Sequence, residues 1–110
     1  MDKQITVMVK EPGKEPRITM IGNELKAMYN LIGCERIEVV RLPRPCSVAV
    51  MVCDEEGKLN NREPNFVLGC DVIVGTVFFC CVGGDGEFRS ISAGAQKAAK
   101  AVMMLGKLEV

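Results

Sequence analysis

Residues 5–9 alternate, with Ile5, Val7 and Val9 on one side and Thr6 and Met8 on the other, the period of a strand that buries one face. The next six positions, Glu11-Pro12-Gly13-Lys14-Glu15-Pro16, hold two prolines and a glycine, so a backbone ladder stops there and the chain reverses. Residues 17–21 then read as the returning strand of an N-terminal hairpin. Asn23 is placed to cap a helix whose apolar positions Leu25, Met28, Tyr29 and Ile32 share one face, and Gly33 is placed to end it. Alternation resumes over 36–42, with Ile37, Val39 and Arg41 on one face, and Pro43-Arg44-Pro45 closes that strand. Residues 47–53 make a fourth.

Asp54-Glu55-Glu56-Gly57-Lys58 predicts a turn, in which the Asp54 side chain can bond its own backbone two residues on. Residues 59–69 show no clean period and contain Pro64, which predicts a connection with one helical turn at 65–68. The run 72–82 is β-branched and aromatic on both faces, the signature of one central strand covered on each side, with Gly75 marking a bulge or a close approach. After Gly83-Gly84-Asp85-Gly86, a helix over 92–105 is expected to bury Ile91, Ala95, Ala98, Val102 and Leu105 and to expose Lys97 and Lys100, with Lys107 beyond it. The order β-β-α-β-β-(turn)-β-α predicts a single α+β domain over residues 1–110, a mixed or antiparallel sheet of about five strands with two helices packed on it as one layer.

A chain of 110 residues suits one hydrophobic core, built here mostly from aliphatic side chains because aromatics are only 5%. Fourteen basic residues balance fourteen acidic ones, which removes the long-range field that nucleic-acid and anionic-membrane binders use, so any anion site must be local. Six cysteines invite a disulfide framework, but adjacent Cys80 and Cys81 in a strand point to opposite faces and a domain of this size needs no staples. Met1-Asp2-Lys3-Gln4 begins no apolar export segment, so reduced thiols and a cytoplasmic location are expected.

No histidine occurs in the chain, which excludes Ser-His and Cys-His dyads and removes the commonest general base at neutral pH. A cysteine nucleophile would need a cationic neighbour, as Cys34 has in Arg36 and Cys46 in Arg44, but such thiols are more often inert. No C-x-x-C pair supports zinc. A calcium loop starting at Asp54 fails because its sixth position is Leu59 and its twelfth Asn65. Glu55 and Glu56, adjacent in a turn, read as solvated carboxylates rather than an acid/base pair. Gly84-Asp85-Gly86-Glu87-Phe88-Arg89 lacks the third glycine of a dinucleotide fingerprint; Arg89, Ser90 and Ser92 near a helix start could hold an anion, and a plain turn with a helix cap competes with that reading. Neither an enzyme, nor a cofactor, nor a metal is expected.

The densest group able to hold phosphate or ribose is Arg41, Arg44, Lys58, Arg62 and Arg89 with Asn60, Asn61 and Asn65, although scattered surface charges usually serve solubility alone. The expected ligand site is Arg41, Lys58, Asn61, Arg62, Asn65, Gly75, Thr76, Phe78 and Arg89: Lys58 and Arg62 for phosphate, Asn61 and Asn65 for ribose or base edges, and Gly75, Thr76 and Phe78 for backbone approach and an apolar wall.

The ordered set formed by the turn at 11–16, Leu25 to Val40, Asp54-Glu55-Glu56-Gly57-Lys58-Leu59-Asn60 and Asp71-Val72-Ile73-Val74-Gly75-Thr76-Val77-Phe78-Phe79 resembles a family of short bacterial and phage proteins described only as a domain of unknown function. The likeness runs over about 5–92, and the alanine-rich stretch 93–105 departs from the pattern. It implies an accessory role inside an infected bacterium. Two hypotheses follow: a homo-oligomeric, non-enzymatic protein that sequesters a nucleotide-derived immune signal, or a protein-interaction module that inhibits or adapts a host protein through a strand edge or the last helix.

Overall fold

The computed structural model describes residues 3–42 and 48–108. The N-terminal hairpin is β1 (Gln4–Lys10) and β2 (Arg17–Gly22), followed by α1 (Leu25–Ile32), β3 (Ile37–Arg41), β4 (Ala49–Asp54), β5 (Pro64–Leu68), β6 (Asp71–Val74), β7 (Val77–Val82), β8 (Phe88–Arg89) and α2 (Ala93–Leu105). The fold is α+β. Its main sheet is antiparallel in the order β2-β1-β7-β4-β3, with the short β8 also paired to β7, and β5 and β6 form a separate hairpin. Pro43-Arg44-Pro45, Cys46 and Ser47 lie outside the described residues.

Alternation in the three central strands sorts side chains onto two apolar faces. Val7, Val9, Val50, Val52, Phe78 and Cys80 form one, which α1 covers with Met28 and Ile32. Met8, Met51, Val77 and Phe79 form the other, covered by α2 through Ala95, Ala98, Ala99 and Met103 and by the β5-β6 hairpin through Phe66 and Ile73. The helices therefore lie on opposite faces, not in the single layer expected, because β1, β4 and β7 are apolar on both sides and each side must be sheltered from water. Met8, read as the outward partner of Val7, is buried for the same reason.

Four local readings change. The run 72–82 is two strands: the chain breaks at Gly75 (φ 75°), so β6 joins the hairpin while β7 enters the sheet centre. Residues 64–68 form β5 rather than a helical turn, pairing β6 with a register shift between Pro64 and Phe66, and Phe66 meets Phe79 at 6.2 Å between ring centroids. Helix α1 is capped at Glu24 without a side-chain bond, while Asn23 Nδ2 donates to Phe88 O at 3.2 Å. Helix α2 has its buried stripe at Ala95, Ala98, Ala99 and Met103; Leu105 is 90% exposed and Val102 is half-buried. Ser92 caps this helix by accepting the Ala95 N–H at 3.1 Å.

Candidate functional site

Strand β4 ends on Asp54, whose carboxylate is buried, and three donors converge on it: the Glu56 N–H at 2.9 Å, Arg62 Nε at 2.8 Å and Asn60 Nδ2 at 3.4 Å. The first is the side-chain turn expected from the sequence. Burial by itself raises the pKa of Asp54, but the Glu56 amide, Arg62 and Asn60 outweigh it and hold the carboxyl below its ordinary value. The Arg62 guanidinium also donates to Gly33 O, at the end of α1. Its stem lies across Gly75, where a Cβ would sit 2.7 Å from Arg62 Cδ, so the positive φ and the close approach both require glycine. One arginine thus joins the end of β4, the end of α1 and the break between β6 and β7.

Two grooves open beside this clamp, with Asp54 and Glu56 in the walls of both. One, about 530 Å³, runs along α1 past Tyr29, Asn30, Cys34, Glu35, Asn60 and Arg62. The other, about 180 Å³, lies between β3, β4 and β6 and carries five carboxylates, Glu38, Asp54, Glu55, Glu56 and Asp71, against the single cation Lys58. Lys58 is itself ion-paired to Asp71. Beside them Leu59 is 82% exposed and Val72 is 39% exposed.

The β3 edge runs past this acidic groove. Leu42 N–H donates to Ala49 O and Glu55 N–H to Arg36 O, so the even-numbered residues of β3 bond to β4, and Ile37 and Val39 direct their backbone groups outward. Among the described residues no strand pairs β3 on that side.

The expected ligand site is divided by this geometry. Lys58 and Arg62 lie at the Asp54 end of the sheet, with Asn61 bonded through its N–H to Lys58 O, Gly75 against the Arg62 stem and half-buried Thr76 following. Arg41, opposite Val50, and Arg89, opposite Cys81, lie toward the other end. The cations that were to hold phosphate already have acidic partners: Lys58 has Asp71, Arg62 has Asp54 and Arg89 has Asp85. Two residues are corrected outright. Phe78 is 0% exposed in the core and offers no wall to a ligand. Asn65 is buried in the β5 irregularity, where its amide donates to Lys10 O and Gly75 O and accepts from Lys10 Nζ, leaving nothing to read a base.

The anion reading near α2 dissolves likewise: Arg89 binds Asp85, Ser90 Oγ accepts the Thr6 N–H, and Ser92 caps the helix. Cys34 faces the larger groove with its pKa raised by burial and by the charge of Asp54, so the nearby Arg36 does not make it a nucleophile. Burial pushes Cys80 up to about 12, and burial with the neighbouring Glu38 does the same to Cys53. The Cys46 and Arg44 pairing falls outside the described residues.

Sequence reasoning missed the acidic groove, because Glu38 and Asp71 are far from the Glu55-Glu56 turn along the chain. The available signal was the edge character of 36–42, a strand that carries charges beside a valine pair.

Residues 5–103 match the family described as a domain of unknown function (DUF3846). The chain belongs to that family. The match takes in both layers that cover the sheet and ends within α2, at Met103, so the alanine-rich helix is part of the family's fold for most of its length. No curated protein and no solved structure matches the chain. No helix among the described residues is long and apolar enough to cross a membrane.

Proposed function

We propose that this family member is a non-enzymatic binding module that docks an extended, basic stretch of another polypeptide as an added strand on β3. The observation that carries the reading is the juxtaposition, among the described residues, of an unpaired strand edge with a groove where Glu38, Glu55 and Glu56 stand beside the Lys58–Asp71 and Arg62–Asp54 ion pairs. Backbone groups of the incoming strand complete the ladder with Ile37 and Val39. Its Lys or Arg side chains reach Glu38, Glu55 and Glu56, and an aliphatic residue covers Leu59 and Val72. Such docking lets the chain occupy or adapt a protein of its host, which suits the accessory role inside an infected bacterium that the resemblance implies. The lack of histidine and the raised thiol pKa values support contact rather than bond-breaking chemistry.

Fluorescence anisotropy with labelled peptides tests this. A peptide alternating Lys and Val binds at low salt and loses affinity as salt is added, its Glu-Val counterpart does not bind, and Glu38→Lys weakens the first by about tenfold or more. Equal binding of the two peptides, or none of either, defeats the proposal.

A small-ligand reading has one observation in its favour, the 530 Å³ groove beside Tyr29, Asn30, Asn60 and Arg62, which falls in the about 300–1,000 Å³ range of ligand pockets. Thermal stabilisation by a cyclic nucleotide or an ADP-ribose derivative, abolished by Asn60→Ala, selects it; a panel without any shift removes it.

A further inference from the structure

The opposite edge of the sheet has a different chemistry. Asn23 N–H donates to Lys3 O, which sets the phase of the hairpin: Arg17, Thr19 and Ile21 bond to β1, and Ile18, Met20 and Gly22 direct their backbone groups outward. Ile18 and Met20 lie opposite Met8 and Thr6, so their side chains stand on the α2 face, yet they are 49% and 59% exposed. No charged residue occurs from Ile18 to Gly22.

We infer that β2 pairs antiparallel with β2 of a second copy of this chain, about a two-fold axis through Thr19, extending one sheet across a dimer. The proposal uses the edge away from β3 and stands apart from peptide docking there. A two-fold axis normal to a sheet keeps each face on its own side, so opposed residues must share a face, and outward backbone groups must meet outward backbone groups. Centring on Thr19 satisfies both conditions. Ile18 then opposes the second copy's Met20, and Met20 its Ile18, each pair exchanging backbone hydrogen bonds while the four side chains cover one another. Thr19 meets its own counterpart. Gly22 opposes Pro16, which has no N–H, and the ladder stops there. At β3, by contrast, a two-fold centred on Glu38 sets two carboxylates against each other and one centred on Val39 brings Glu38 and Arg41 of both copies into the seam, whereas β2 carries one charge, Arg17, at the end of its ladder opposite Ile21.

Sedimentation velocity and amide exchange on the full chain test this together. Raising the concentration from about 1 µM to about 1 mM shifts the wild type from monomer to dimer by mass action. The Ile18 and Met20 amides become protected in the same range, while the Thr19 amide, bonded within the hairpin, is protected throughout. Ile18→Lys and Met20→Lys each remain monomeric with unchanged far-UV circular dichroism, and Val39→Lys on the other edge still dimerises. A wild type that stays monomeric to the highest concentration overturns the inference. So does a dimer that survives both lysines, or one in which the Ile18 and Met20 amides exchange as fast as in the monomer; wild-type sedimentation and amide exchange need no substituted chain, so the inference stays open to refutation even where a lysine variant fails to fold.

Discussion

On one face of the sheet a thirteen-residue helix with a Ser92 cap lays three alanines and Met103 over Met51, Val77 and Phe79, and the β5-β6 hairpin adds Phe66 beside it. On the other face an eight-residue helix with no side-chain cap offers only Met28 and Ile32 as fully buried side chains, and neither helix has an acid in its first turn or a base in its last. A helix that short is not stable by itself. What holds α1 is tertiary: those two side chains and the Arg62 bond to Gly33 O, braced by Asp54. Similar apolar faces are thus sealed in one case by packing alone and in the other by modest packing tied down with a polar clamp.

The largest test strikes the packed face. Phe79→Ala removes a side chain with no solvent exposure from beneath α2 and is expected to cost about 3–5 kcal/mol, read as a lower denaturation midpoint at unchanged m. Loss of less than about 1 kcal/mol would mean that the α2 layer does not carry the fold.

A smaller effect is expected from Arg62→Ala, about 2–3 kcal/mol, because charged hydrogen bonds are lost and Asp54 is left buried with fewer donors. The sharper readout is local. Amide exchange should accelerate in α1 while α2 keeps its protection, and equal acceleration in both helices would erase the distinction between the faces.

The smallest effect is a pH dependence. The Asp54 carboxyl titrates lower in the folded chain than its ordinary value of 3.8, so its stabilisation is complete above that value and is lost as pH falls through the lower folded one. Acid should therefore loosen α1 first, and Asp54→Asn should flatten the dependence below about pH 4 while lowering stability at neutral pH. An acid limb of unchanged steepness in that variant would show that other carboxylates govern it.

The strands and helices were legible where their periodicity is strong. Ile5, Val7 and Val9, the turn from Glu11 to Pro16, Gly33 as a helix stop and the 93–105 helix all stand close to where pattern placed them. Reading failed where a local pattern has two solutions. The apolar run 72–82 is long enough for one strand, and only the left-handed conformation at Gly75 divides it between two sheets. Asn65 has the chemistry of a ligand reader, but the register shift in β5 turns its amide to Lys10 and Gly75. Lys58, Arg62 and Arg89 were legible as cations, but not as cations with acidic partners, because charge pairing links residues that composition treats separately.

Alternation and turn residues determined by themselves an α+β chain with one central run, 72–82, apolar on both faces, since these properties depend on residue type and near neighbours alone. Which helix covers which face, how Arg62 joins Asp54 to Gly33, and which strands are left as unpaired edges were decided by the tertiary structure. Those outcomes depend on how distant segments compete to shelter the same surfaces from water and to satisfy the same buried polar groups.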